Sequence, residues 1–203
     1  LLILNKYNPK FLIDDQFNKP QAFHESAVSI AGGICLFFSL LTIFFDFWLF
    51  KNIIFFEYIS ICTFCFFLGF IDDIKINVNA TIRLILMIVL LIVLIKFNNF
   101  YVDKTGIEVL NNWLKNSKTF SLFFICLCFL FIINGANLID GYNGLLGIHS
   151  LIILVNLFLV NYFNENSDLA NLLFFGILIL LVFLLFNFPR AKIFLGDSGS
   201  YLL

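Results

Sequence analysis

The sequence predicts an all-α, polytopic membrane helix bundle with about six spans. Three observations predict it. The chain has 203 residues, of which 62% are hydrophobic, 30 are Phe and only 12% are charged, whereas a soluble domain carries about 25% charged residues. Mean hydropathy is +1.03. The apolar residues gather into runs close to the ~20 needed to cross a bilayer, with short polar stretches between them. The whole of 1–203 reads as one integral membrane domain, truncated at both ends because it opens on Leu1 and closes in an apolar Tyr201-Leu202-Leu203. The formal charge is −1 and no basic run is present, so nothing points to nucleic acid.

In chain order, residues 1–30 read as a polar loop, broken by Lys6, Lys10, Asp14, Asp15, Lys19, His24 and Glu25. The expected spans are 34–50, 53–71, 82–97, 120–139, 145–163 and 169–188, the last stopped by Pro189. Trp48 and Glu57 fall near span ends, where the interface tolerates them. Residues 98–118 read as a polar connection. Cys35, Cys62, Cys65, Cys126 and Cys128 lie in apolar runs and read as buried small hydrophobes without a disulfide or zinc framework. His24 and His149 are isolated and read as structural.

The polar clusters are out of place in so apolar a chain. Asn134, Asn137 and Asp140 recur at i, i+3 and i+6 and share one helical face, followed by Gly141, Gly144 and Gly147. A plain Asn/Gly turn explains the glycines but not that spacing. Asp72-Asp73 closes the second span after Gly69; adjacent carboxylates repel, and Lys75 and Arg83 are candidate partners. A solvated helix end is the simpler reading of this pair. Asp197 sits between Gly196 and Gly199, with Ser198 and Ser200 as potential helix caps. Counting one crossing per span puts 1–30, 72–80, 140–144 and 189–203 on one membrane face. Counting Arg83 at the start of the third span with it, seven of the 12 Lys and Arg fall on that face, which favours its being cytoplasmic. Such a set of carboxylates and amides suits Mg²⁺, which retains waters and bridges carboxylates to phosphates. Intramembrane polar groups at broken helices also mark ion-coupled transporters and channels, so that class stays open on composition alone.

Four stretches resemble the polyprenyl-phosphate N-acetylhexosamine-1-phosphate transferases, glycosyltransferase family 4. They are Asn18-Lys19-Pro20 with His24 and Gly32-Gly33; Gly69-Phe-Ile-Asp72-Asp73; Asn134-x-x-Asn137-x-x-Asp140-Gly141-x-x-Gly144; and Phe194-Leu-Gly196-Asp197-Ser-Gly199-Ser200. Their order and spacing agree over almost the whole chain. The stretch Glu25 to Ala31 departs from the family's Pro and Arg before the Gly-Gly pair. The resemblance implies a protein of ten or eleven helices, of which this chain holds about six. It implies transfer of a sugar-1-phosphate from a UDP-N-acetylhexosamine to a membrane polyprenyl phosphate, releasing UMP, in cell-envelope polysaccharide or peptidoglycan synthesis. By position it implies Asp72 and Asp73 as catalytic residues, and Asn137 and Asp197 as ligands of Mg²⁺, with Mn²⁺ as a substitute. It implies Lys19, Lys75, Asn134, Asp140 and Phe194 as substrate contacts, Phe194 by stacking on uracil. The expected setting is a bacterial inner membrane with a cytoplasmic site, compatible with a homodimer. A His-rich loop of the family has no counterpart here, so these residues alone are expected to be inactive.

Overall fold

The structure, a computed structural model of the chain, describes residues 12–14, 28–74, 79–102 and 104–203. Among the described residues there are a pair of two-residue strands, β1 (Ile13–Asp14) and β2 (Val28–Ser29), which run antiparallel, and after them eight helices. The helices are α1 (Gly32–Lys51), α2 (Phe56–Asp73), α3 (Ala80–Phe97), α4 (Glu108–Asn116), α5 (Lys118–Ile139), α6 (Leu145–Phe163), α7 (Ser167–Asn187) and α8 (Gly196–Leu202). The described residues are all-α apart from that ladder and an isolated bridge, as the composition predicts.

Among the described residues five helices, α1, α3, α5, α6 and α7, are long and apolar enough to cross a membrane. The expected second span is present as α2, 18 residues long, but Glu57, Asp72 and Asp73 leave it more charged than the other five. The stretch expected to be a polar connection contains α4, whose nine residues are too few to cross a membrane. Cys35 and Cys128, expected to be buried, are exposed; Cys65 and Cys126 are buried. An apolar solvent removes the reason to hide a thiol, because lipid tails are as apolar as Leu.

The chain divides into two compact units. The first comprises 1–76 and 136–203. In it α6 and α7 form a hairpin over the turn Asn164-Glu165-Asn166, α1 packs on α2 and α7, and α8 packs on both α1 and α2. Leu36, Leu146, Leu180, Phe183 and Leu195 make one buried cluster, which joins α1, α6, α7 and the approach to α8. Phe44, Phe47 and Leu172 make another, farther along α1 and nearer the start of α7. The Phe37 and Phe66 rings stack face to face with centroids 4.1 Å apart, tying α1 to α2. The second unit, 77–135, holds α3, α4 and most of α5. Met87, Leu91 and Ile95, spaced by four, give α3 one buried stripe. In both units much of the remaining apolar surface faces outward, as for Phe50, Phe131 and Leu185. That is the surface a bilayer would cover.

Candidate active site

Three of the four polar clusters meet in the first unit, and α8 brings them together. Its N-terminus leaves backbone N–H groups without intrahelical partners. They are taken up by the last residue of α2: Asp73 accepts the Asp197 N–H at Oδ1 (2.8 Å) and the Ser198 N–H at Oδ2 (3.0 Å). Asp73 is buried, so both charge-assisted bonds are sheltered from water. The expectation that Ser198 and Ser200 cap this helix is therefore corrected. No side chain of its own sequence caps α8, and Ser200 Oγ instead donates to Asp197 O at 3.2 Å.

Close backbone approach makes this docking possible. A Cβ on Gly69 of α2 would overlap the backbone of Asp197 and Ser198, and one on Gly33 of α1 would overlap Gly199 and Ser198. Only glycine lets three main chains converge so tightly. The first N–H groups of α1 are satisfied by the strand-like segment before α8: Gly32 donates to Phe194 O (2.9 Å) and Gly33 to Leu195 O (2.8 Å). The Phe194 N–H donates to Ser29 O (2.8 Å), and Ser29 forms a parallel bridge with Ile193. The Gly32-Gly33 pair thus buttresses the 193–195 segment.

Docked in this way, α8 presents Asp197 to α5. Asn137 Nδ2 donates to Asp197 Oδ1 at 2.6 Å and to Ser200 Oγ at 3.1 Å. Asp140, half-buried in the turn after α5, has its carboxyl pushed up to about 8, first by burial and then by the negative charges of Asp197 and Asp73. Three carboxylates, Asp73, Asp140 and Asp197, and the Asn137 amide therefore share one region.

The remaining expected residues are placed as follows. Asp72 ends α2 beside Asp73 and is half-buried. Phe194 is half-buried, its main chain held as above. Asn134 belongs to the second unit and turns back on its own helix, Nδ2 donating to Leu130 O at 2.8 Å. Lys19 and Lys75 lie outside the described residues, as does His24. His149 is exposed on α6.

Sequence reasoning missed Asn187. This buried amide at the end of α7 accepts the Gly144 N–H at Oδ1 (2.5 Å) and donates from Nδ2 to Ile193 O (2.8 Å). It fastens the turn that carries Asp140 to the segment that carries Phe194. Gly144 is in the left-handed region (φ +76°) with the Phe188 ring where a Cβ would lie. A signal was available: Asn187 closes an apolar run from Leu172 just before Pro189.

Among the described residues no group of three or more His, Cys, Asp or Glu side chains forms a ready metal cage. Mg²⁺ does not require one, since it binds through one or two carboxylates plus water and substrate phosphate. The carboxylates of Asp73, Asp140 and Asp197 are donors of the kind such an ion takes, with the amide of Asn137 beside them.

Residues 55–203 match the family described as glycosyl transferase family 4. The chain is 26% identical over 180 residues to an undecaprenyl-phosphate alpha-N-acetylglucosaminyl 1-phosphate transferase of Escherichia coli O157:H7, covering 87% of this chain and 47% of that protein. It is 32% identical over 190 residues to a phospho-N-acetylmuramoyl-pentapeptide-transferase of Dictyoglomus turgidum, covering 89% of this chain and 58% of that protein. The chain therefore spans about half the length of the relatives it matches.

Proposed function

The chain belongs to glycosyl transferase family 4, and on that premise we propose that its site transfers an N-acetylhexosamine-1-phosphate from a UDP-sugar to a membrane polyprenyl phosphate, releasing UMP. The observation that carries this reading is the Asn137–Asp197 contact, assembled by the Asp73 cap on α8. It gathers carboxylates and an amide at the ends of α2, α5 and α8, which supports a site for a lipid phosphate and a nucleotide. The polar groups sit at helix ends: Asp73 closes α2, Asn137 lies in the last turn of α5 and Asp197 in the first turn of α8. Asn156, well inside α6, bonds its own helix at Ile152 O (2.7 Å). Ion-coupled transporters instead hold their polar sites near the bilayer midplane.

Asn137 and Asp197 would hold Mg²⁺, which when bound neutralises the charge of the diphosphate and of the UMP leaving group. An oxygen of the polyprenyl phosphate attacks the β-phosphorus of the UDP-sugar. The bond from that phosphorus to the bridging oxygen breaks, and UMP departs with its electron pair. Asp72 orients the lipid phosphate and accepts its last proton, and Asp73 holds α8. Phe194 stacks on the uracil, while Asp140, Asn134, Lys19 and Lys75 serve the nucleotide-sugar and its phosphates. The face is cytoplasmic in an inner membrane. UMP release from UDP-N-acetylglucosamine and undecaprenyl phosphate by the complete gene product tests this. It should require Mg²⁺ or Mn²⁺ and vanish in Asp197→Ala, while the folded protein remains. Turnover in Asp197→Ala close to the unsubstituted protein at ordinary Mg²⁺ refutes the metal assignment.

A further inference from the structure

We propose that α4 is a membrane-surface helix whose outer apolar edge, Ile107, Val109 and Trp113, is seated in the headgroup–acyl boundary at the Lys118 end of α5. Val109, Leu110, Trp113 and Leu114 cover an arc of about 140° at 100° per residue, and Glu108, Asn111, Asn112, Lys115 and Asn116 fill the rest. Only the inner half of that arc is used within the unit. Leu114 is 3% exposed and Leu110 half-buried, while Val109 and Trp113 are 64% and 58% exposed, and Ile107 beside them is 61% exposed.

The occupant follows from how α4 is attached. Ser117 alone separates α4 from α5, and it serves both. Its N–H donates to Trp113 O (3.1 Å), closing α4. Its Oγ accepts the Phe120 N–H (3.2 Å) and its carbonyl accepts the Ser121 N–H (3.0 Å), capping α5. A one-residue corner keeps α4 beside the first turn of α5, a candidate span. At nine residues α4 rises about 14 Å, too little to enter as a span of its own.

The exposed edge also runs on into the lipid-facing surface of α5. The Trp113 ring stands edge-on to Phe120, centroids 5.6 Å apart at 90°. Phe120 stacks on Phe124, and the adjacent Phe123 is 61% exposed. Indole is suited to this depth, apolar in body with one N–H to leave in water. Lys115 and Lys118, both exposed, lie within reach of lipid phosphates through their flexible stems. The other end of α4 is tied down as Asn111 Oδ1 accepts from Thr105 N (2.6 Å) and Thr105 Oγ1 (3.0 Å). The corner thus fixes the depth at which α5 starts.

The chain has two Trp, Trp48 and Trp113, so Trp48→Phe leaves Trp113 as the one reporter. This variant of the full chain is reconstituted in phosphatidylcholine–phosphatidylglycerol vesicles. Its emission is titrated with lipids brominated at a shallow acyl position and, separately, with aqueous iodide. Trp113 should lose most of its emission to the brominated lipid and little to iodide. Quenching mainly by iodide would mean a water-exposed edge. Shielding from both quenchers would mean a protein partner or second copy on this face. Either result overturns the proposal. If Trp48→Phe does not fold, the difference between the unsubstituted chain and Trp113→Phe gives the same quenching contrast.

Discussion

At the scale of single residues, the two neighbouring aspartates of α2 have different surroundings. Asp73 is buried and holds two backbone N–H groups of α8. Asn at that position presents an NH₂ to one of those N–H groups, so Asp73→Asn should destabilise the docked α8 by about 1–3 kcal/mol. A lower thermal midpoint in detergent, with activity lost in parallel, is the expected outcome; an unchanged midpoint would show that the cap is dispensable. If Asp72 removes the last proton from the lipid phosphate, the rate defect of Asp72→Asn should shrink as pH rises, because the phosphate ionises unaided with a second pKa of about 6. A defect equal at every pH would leave Asp72 an orienting residue. Asp140 gives a second pH test. Its carboxyl is pushed up to about 8, so the fold prefers it protonated. Stability from that preference is fully present below the ordinary carboxylate range and is lost as pH rises through about 8. Without divalent cation, the midpoint should therefore fall from about pH 4 to about pH 8, and Asp140→Asn should flatten the fall. Equal slopes in the two proteins would remove Asp140 as the source. These carboxylates were legible in the sequence as groups too polar for their surroundings. Asp73's partners were not, since a contact between residues 73 and 197 depends on how α2 meets α8.

At the scale of elements, composition made the long helices legible, because an apolar run of sufficient length has few alternatives to a helix in a bilayer. The amphipathic α4 was less so: its nine residues alternate too little with their polar neighbours to stand out from a connection. The role of Gly69 was also hidden. It reads as a small residue before an acidic pair, yet the structure makes it the seat of the α8 backbone. Gly69→Ala should push α8 off α2 and cost about 1–3 kcal/mol by overpacking, with larger losses where the backbone cannot shift. Its signature would be a lowered midpoint together with weaker cation-induced stabilisation, since Asp197 moves with α8; an unperturbed cation response would disconnect α8 docking from the site. Asn187→Ala should act through a different contact. It leaves the Gly144 N–H and the Ile193 carbonyl without their partner, at roughly 1–3 kcal/mol for each group that stays dry. The affected segments are the Asp140 turn and the approach to Phe194, so substrate affinity should weaken even where the fold survives.

At the scale of the whole molecule, sidedness links the sequence to the proposed chemistry. Within the first unit, Gly32 at the start of α1 and Asn187 at the end of α7 both bond the 193–195 segment. The opposite ends of the same two helices meet in the Lys51–Asp168 ion pair at 3.1 Å, with Lys51 also 4.8 Å from the Phe47 ring centroid. The ion pair is half-exposed and contributes little energy, but it fixes α1 and α7 as antiparallel, with the site at one end and Lys51 at the other. This agrees with counting one crossing per helix. Extended along the chain, the count puts Lys104 on the face of Lys51, and Lys192 on the face of Asp140 and Asp197. Single cysteines at 104, 140 and 192, in a chain stripped of its five native cysteines, would report this in sealed vesicles through an impermeant maleimide. Positions 140 and 192 should label from the side that carries the nucleotide supply, and 104 only from the other. A common side for 104 and 140 would mean that α5 does not cross, and the lipid phosphate and the UDP-sugar could then not meet at Asp197 in the way proposed.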